Sequence, residues 1–286
     1  DSGNIRLQFS YVGATRAVSY TRSPDISGNF VEHPTNTSGP KNLDMTDAKA
    51  SPGRKLDGTT FIARNTYSGT GDWNNGANWS LGLPTGTSNL EIPTGNTVTV
   101  TSDNEVANNL EVKGTLIINS TESLTVNGNL EISGTATINS GGSLIVSETS
   151  LGNVAYNREL TFVAGDLKGW HTVGSPVVGQ AYNNAYATTN SIATSTTEIT
   201  RRGLGTYDIE NNSWNYLTTA DVNSGTFTPG VGYTMKRAST GDVTFTGTLN
   251  TDNSGVDVGL LITGDRFNPL ANPYTSYVNS VTFLTN

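Results

Sequence analysis

Asn89-Leu90-Glu91-Ile92 recurs as Asn109-Leu110-Glu111-Val112 and again as Asn129-Leu130-Glu131-Ile132, a gap-free step of 20 residues. More than the tetrad repeats. Val98, Ile118 and Ile138 share one phase, Val106, Val126 and Val146 another, and Leu124 falls in step with Leu144. Gly114-Thr115 returns as Gly134-Thr135, and Ile118-Asn119-Ser120 as Ile138-Asn139-Ser140. A short period holding several strands is the signature of a β-solenoid, where each repeat makes one coil and coils stack about 4.8 Å apart. The alternative is a β-meander, but hairpins rarely keep residue identity at a gap-free period. Alternation within each strand turns Leu90, Ile92 and their successors inward and Glu91, Glu111 and Glu131 outward. The amides of Asn119 and Asn139 are placed to form a short ladder. Three coils make a column only about 15 Å tall, whose open ends flanking segments must cap.

The rest of the chain uses the same vocabulary: short alternating runs broken by Gly, Asn, Ser, Asp and Pro, with no apolar pattern of period 3.6. The expected fold class is all-β, a short β-solenoid with 20-residue coils followed by a β-sandwich-like domain. Three segments follow: an N-terminal β-rich segment (1–66), the solenoid with a Trp-containing cap (67–150), and the sandwich-like domain (151–286). The first holds expected strands at Ile5–Phe9 and Ala17–Tyr20. The last holds most of the Tyr and Phe, with strands expected near Leu160–Val163, Gly232–Met235, Leu260–Ile262 and Val278–Leu284. Asn183 to Ser195 reads as a polar, alanine-rich loop.

Composition narrows the function classes. The 286 residues carry 16 Lys and Arg against 24 Asp and Glu, a net charge of −8 with no basic run. That excludes an electrostatic footprint for nucleic acid and disfavours anionic membranes. No apolar run approaches the roughly 20 residues of a membrane-spanning helix. Asp1 does not open a signal peptide, which implies a removed leader or a longer parent. Cysteine is absent, so disulfides, zinc–thiolate sites and thiol catalysis are excluded together. His33 and His171 lie far apart, without metal-ligand spacing or a nucleophile elbow.

Two groups are candidate sites. Trp73 and Trp79 either form a sugar-stacking platform or cap the first coil; Trp170 beside His171, and Trp214 near Tyr216, pose the same choice, with core the commoner answer. Glu91, Glu111 and Glu131 stand in an outward column. Neighbouring coils bring carboxylates to about the 5–5.5 Å of a retaining glycosidase, but an outward stripe lacks the cleft that shifts a catalytic pKa. Calcium would relieve the repulsion along the column, the plain reading being a solvated acidic stripe, and Glu111→Gln is expected to be neutral or slightly stabilising. Asp252, Asn253 and Asp257 only loosely match a calcium loop. Outward Thr97, Thr99 and Thr137 would suit an ice-binding array, but on a 20-residue step Ile117 and Asn119 interrupt it.

Gly71-Asp72-Trp73-Asn74-Asn75-Gly76-Ala77-Asn78-Trp79-Ser80, followed by Leu83-Pro84, resembles a recurrent opening in large surface proteins of the Bacteroidota. The resemblance continues through Gly169-Trp170-His171-Thr172-Val173-Gly174-Ser175-Pro176, Phe227-Thr228-Pro229-Gly230-Val231-Gly232-Tyr233 and Phe267-Asn268-Pro269-Leu270-Ala271-Asn272-Pro273-Tyr274. This is similar to the region of type IX-secreted adhesins and gliding-associated proteins upstream of their sorting domain, which is missing after Asn286. The family's Gly-Asn-Pro-Tyr reads Ala271-Asn272-Pro273-Tyr274 here. The resemblance implies a cell-surface or extracellular location, export by the type IX machinery, and a structural or adhesive role on a polysaccharide or protein, with self-association into a fibre as one form. The expectation is therefore a non-catalytic surface scaffold without a cofactor, calcium being the one ion weighed. The alternatives are a carbohydrate-binding module and a solenoid-type polysaccharide lyase or hydrolase.

Overall fold

In the computed structural model the described residues are 20–23, 29–32, 64–165, 167–251, 256–262, 264 and 267–278. The chain divides into two units, residues 1–63 and 64–286. In the first, β1 (Tyr20–Ser23) pairs antiparallel with β2 (Asn29–Glu32). The strand expected at Ile5–Phe9, His33, Asp252 and Asn253, and the stretch from 279 to Leu284 lie outside the described residues.

The second unit opens with β3 (Arg64–Thr66) and β4 (Thr70–Asp72), then a single 3₁₀ turn at Gly76–Asn78. The first coil is β5 (Asn89–Ile92), β6 (Thr97–Val100) and β7 (Glu105–Ala107). The second is β8 (Leu110–Val112), β9 (Thr115–Ile118) and β10 (Ser123–Val126). The third is β11 (Leu130–Ile132), β12 (Thr135–Ile138) and β13 (Ser143–Val146), and β14 (Ser150–Leu151) begins a fourth. Strands of one phase pair in parallel, giving three faces: β3-β5-β8-β11-β14, β4-β6-β9-β12 and β7-β10-β13. Leu90, Leu110 and Leu130 stack inside the first face, each almost wholly buried, with Ile92, Val112 and Ile132 beside them. The side-chain alternation required by a half-buried strand puts them there.

The step of 20 is not unbroken. The first face keeps it throughout, with Leu90 beside Leu110 and Leu110 beside Leu130. On the second face the first coil advances by 18: Thr97 pairs with Thr115, Val98 with Leu116 and Val100 with Ile118. On the third it advances by 19, so Val126 stacks on Ala107, not Val106, though Val126 on Val146 is as expected. The cause is the corner after β5. Pro93-Thr94-Gly95-Asn96 is a four-residue turn, closed by Asn96 N–H on the Pro93 carbonyl at 3.1 Å; the next coil turns on Lys113-Gly114 alone. These shorter corners are tight. A Cβ on Gly134 would sit 2.1 Å from the Gly114 carbonyl oxygen, and one on Gly114 2.3 Å from that of Pro93. Gly134→Ala is expected to cost about 1–3 kcal/mol through overpacking; an unchanged melting temperature would contradict the stacking of these corners.

Asparagines tie the coils together. Asn139 Nδ2 donates to Asn119 Oδ1 and Asn157 Nδ2 to Asn139 Oδ1, both at 3.4 Å, forming the expected ladder. A second ladder joins the tetrads: Asn109 Nδ2 donates to Asn89 Oδ1 at 2.7 Å, and Asn109 Oδ1 accepts from Asn129 N–H.

Beyond the coils come β15 (Val154–Leu160), β16 (His171–Val173) and β17 (Val177–Val178), then α1 (Asn184–Thr189). They are followed by β18 (Arg201–Asp208), β19 (Ser213–Thr218), β20 (Tyr233–Met235) and β21 (Gly241–Leu249). β15 adds in parallel to β12, and β21 and β17 extend the sheet antiparallel, giving the seven-stranded order β17-β21-β15-β12-β9-β6-β4. The division expected at 150 therefore falls inside one body of residues 64–286, where the solenoid sheet runs on without a break. A four-stranded sheet, β16-β20-β18-β19, packs over the extension. Between the two sheets Phe227 lies 5.3 Å from Phe245 of β21 and 4.7 Å from Tyr233 of β20, ring centre to ring centre. This is the sandwich-like aromatic core.

Two local expectations change. Asn183 to Ser195 is not simply a loop, because Asn183 accepts from Tyr186 N–H and caps α1, which buries Tyr186 and Ala187. Leu260 to Ile262 is not a strand: the Asn268 side chain both donates to and accepts from the Leu261 backbone at 3.0 Å, taking the place of a strand partner. The last coil is covered as a solenoid end must be. Leu144 N–H donates to the Thr275 carbonyl at 3.0 Å, and Thr275 Oγ1 donates to the Leu144 carbonyl.

Candidate functional site

The motif from Gly71 to Ser80 builds the opposite cap. Asp72 ends β4, and Trp73 N–H continues the pairing onto the Thr99 carbonyl at 2.8 Å, so the indole turns in over the first coil. Asn75 caps the 3₁₀ turn by accepting from Ala77 N–H. That turn returns the chain so that Trp79 lies between Trp73, at 5.3 Å, and Tyr67, at 4.8 Å, both edge to face. Trp79 Nε1 donates to the Trp73 carbonyl at 2.7 Å. Trp73 is 0% and Trp79 3% exposed. A sugar-stacking platform needs an open ring face, so the platform reading of Trp73 and Trp79 is corrected to the cap. Trp73 Nε1 has no acceptor among the described residues, a cost of about 1–3 kcal/mol that burial of the ring offsets.

The glutamate column is an ion-pair lattice. Glu91 and Glu111 are neighbours in register. Lys113 Nζ donates to both, at 2.9 Å each, and Arg64 bridges the same two carboxylates from β3, lying 3.0 Å from Glu91. Two cations meet two carboxylates, so the repulsion that invited calcium is already relieved. Glu131 stands apart, exposed and without an ion pair among the described residues. The column is thus corrected from a calcium site: its three members do not converge, and among the described residues no group of three or more His, Asp or Glu does. Nor is the column a plain solvated stripe: Glu111→Gln, expected to be neutral from the sequence, would break two bridges. Lys113 first and Arg64 second hold the Glu91 carboxyl below the ordinary range, while its partial burial opposes them. A general acid needs the opposite shift. Because the folded pKa is the lower one, this contribution to stability is present above the unfolded value of about 4.3 and vanishes as pH falls through the folded value. Urea unfolding should therefore find wild type more stable than Glu91→Gln at pH 7, with the difference shrinking as pH falls below the unfolded value. A difference that persisted in acid would contradict the pairing.

Open aromatic surface lies elsewhere, on one face of the four-stranded sheet. Alternation along β19 puts Trp214 and Tyr216 on the same side, half-buried, while Leu217 faces the core. Tyr216 pairs across from Gly205 and Trp214 from Tyr207. Glycine leaves room for the Tyr216 ring, whose Cδ1 would be 3.2 Å from any Cβ there. Trp170 lies 5.5 Å from Tyr216, with the Arg201 guanidinium 5.6 Å over the Tyr216 ring. Trp214 is 5.1 Å from Tyr207, which is 4.9 Å from Phe267. The row Trp170–Tyr216 and Trp214–Tyr207–Phe267 carries flat apolar faces beside a cation. In the sequence Trp170, Trp214 and Tyr216 carry two readings, a platform or core, of which core is the commoner. Their partial exposure depends on β19 being an edge strand, which local spacing does not record. His171, next to Trp170, bonds through Nε2 to the Thr161 carbonyl at 2.9 Å.

A concavity of about 540 Å³ lies among Val256, Val258, Leu260, Leu270, Pro273 and Val278, and among the described residues no charged side chain lines it. Such a lining binds apolar groups and offers no acid–base pair.

A family model for a domain of unknown function matches residues 66–286. The chain belongs to this family, DUF8693. No curated protein and no solved structure matches it. The DUF8693 match begins at the end of β3 and runs through the tryptophan cap, the coils and both following sheets. Cap, column and aromatic row, apart from Arg64, therefore all belong to the family's own region.

Proposed function

We propose that this DUF8693 chain is a non-catalytic adhesive module that works outside the cell, with the solenoid as a rigid hydrophilic spacer and the aromatic row as its polysaccharide contact. The row at Trp170, Tyr216, Trp214 and Tyr207 carries the reading. Pyranose rings present apolar C–H faces that pack on half-exposed aromatic faces, and Arg201 adds a donor for hydroxyl or carboxylate groups. The charge-compensated column supports a spacer over a lyase or hydrolase, because the Glu91 carboxylate, locked to Arg64 and Lys113, is a poor proton donor. Extracellular location and export by the type IX machinery rest on the motif resemblance.

A polysaccharide array read for both binding and cleavage tests this. The expected result is binding without turnover, weakened about tenfold by Trp214→Ala, a loss of about 1.4 kcal/mol. Cleavage abolished by Glu111→Gln in a folded protein would replace the proposal with the solenoid-enzyme alternative.

A further inference from the structure

The 18-residue step on the second face has a chemical consequence. On an unbroken 20-residue step Thr97 would meet Ile117, and Thr99 would meet Asn119. In the observed register Thr70, Thr97, Thr115 and Thr135 stand side by side on four adjacent strands. Thr99, Ile117 and Thr137 form a second rank, two residues along, and Asn119 has moved out of it to the corner ladder. Val98, Leu116 and Ala136 between the ranks point inward and are buried, so both ranks point outward. The second rank continues through Ala155 of β15 to exposed Thr246 of β21.

Three features make this face unlike the rest of the surface. Within the ranks on β6, β9 and β12 no residue is charged, in a chain of net charge −8. Every residue there is β-branched, presenting a methyl group, and in all but Ile117 a hydroxyl beside it; restricted χ1 freedom holds those groups in place. The hydroxyls of Thr97, Thr99, Thr115, Thr135 and Thr137 have no partner among the described residues, whereas the neighbouring Thr101 hydroxyl is tied to Asp72. The result is a two-dimensional lattice, about 4.8 Å across strands and roughly 6.7 Å along them.

We infer that the threonine face of β6, β9 and β12 binds the surface of ice. The oxygen rows of a hexagonal ice face repeat at closely similar intervals, so the hydroxyls occupy lattice positions while the methyl groups hold the intervening waters in cages. A sugar polymer is less well matched, because the ranks on β6, β9 and β12 offer no aromatic ring to stack on and no charge to pair; the one charge at their border, Asp72 of β4 beside Thr99, is held by the Thr101 hydroxyl. The inference is independent of the aromatic row.

The test is uptake of the full chain into a slowly growing ice hemisphere, with inhibition of ice recrystallisation as a second readout. Wild type should be taken up and should hold crystals small. Thr115→Lys, at the centre of the lattice, should lose both effects. Thr125→Lys, on the third face, should keep both, and circular dichroism establishes that each variant is folded. No uptake of wild type would overturn the inference, and so would equal uptake of the two variants. Capture on crystalline cellulose or chitin in place of ice, lost in Thr115→Lys alone, would overturn it too and give the face to a polysaccharide.

Discussion

Trp79→Ala is expected to cost about 3–5 kcal/mol, the range for deleting a buried tryptophan, and to lower Tm by roughly 6–20 °C for a body of this size. The indole is the middle of a three-ring stack over the first coil, and its loss exposes the interior around Tyr67 and Trp73 while leaving the Trp73 carbonyl without its donor. The phenylalanine variants refine the argument. Trp79→Phe breaks a 2.7 Å hydrogen bond. Trp73→Phe breaks none among the described residues, where the Trp73 Nε1 donor is buried without a partner, so it should be the milder of the two. Calorimetry decides the matter: equal losses would mean that the bond to the Trp73 carbonyl contributes nothing, and no loss from Trp79→Ala would mean that this residue is not the cap.

Leu110→Ala is expected to cost about 2–5 kcal/mol. Leu110 is packed between Leu90 below and Leu130 above, in a column that cannot collapse sideways because each coil is hydrogen-bonded to the next. The companion change Glu131→Gln, one coil on and outward-facing, should stay within about 0.5 kcal/mol, since that carboxylate holds no ion pair among the described residues. Denaturant titrations of both variants check the assignment of inward and outward positions; similar costs would contradict it.

How much of this was legible follows from where information is stored. The Asn-Leu-Glu tetrad records the coil directly, because stacking places like residues in one environment, and the all-β class and solenoid follow from it. The register of the second face was hidden because residues 109–148 repeat at 20 and the eye extends that step backward across Pro93–Asn96, where two extra residues break it. Trp73 and Trp79 were legible as a pair with two meanings; choosing between them required knowing that the 3₁₀ turn folds one indole onto the other. Arg64 lies before the repeat and 27 residues from Glu91, so no periodic comparison brings it to the column. α1 is too short for a period of 3.6 to register, and Leu260–Ile262 shows that an apolar run is no strand when an asparagine side chain takes its partner's place.

The scaffold and the threonine lattice both rest on the step between the first and second coils, and the chain contains no cysteine to confuse a cross-linking experiment. Two double variants test it: Thr97→Cys with Thr115→Cys, and Thr97→Cys with Ile117→Cys. In the observed register the first pair is directly adjacent, about 4.8 Å apart, within the separation a disulfide spans. The second pair lies on a diagonal of about 8 Å, beyond the roughly 7 Å limit. Mild oxidation followed by mass spectrometry should find a disulfide in the first variant and free thiols in the second. The reverse pattern would restore the unbroken 20-residue step and dissolve the lattice.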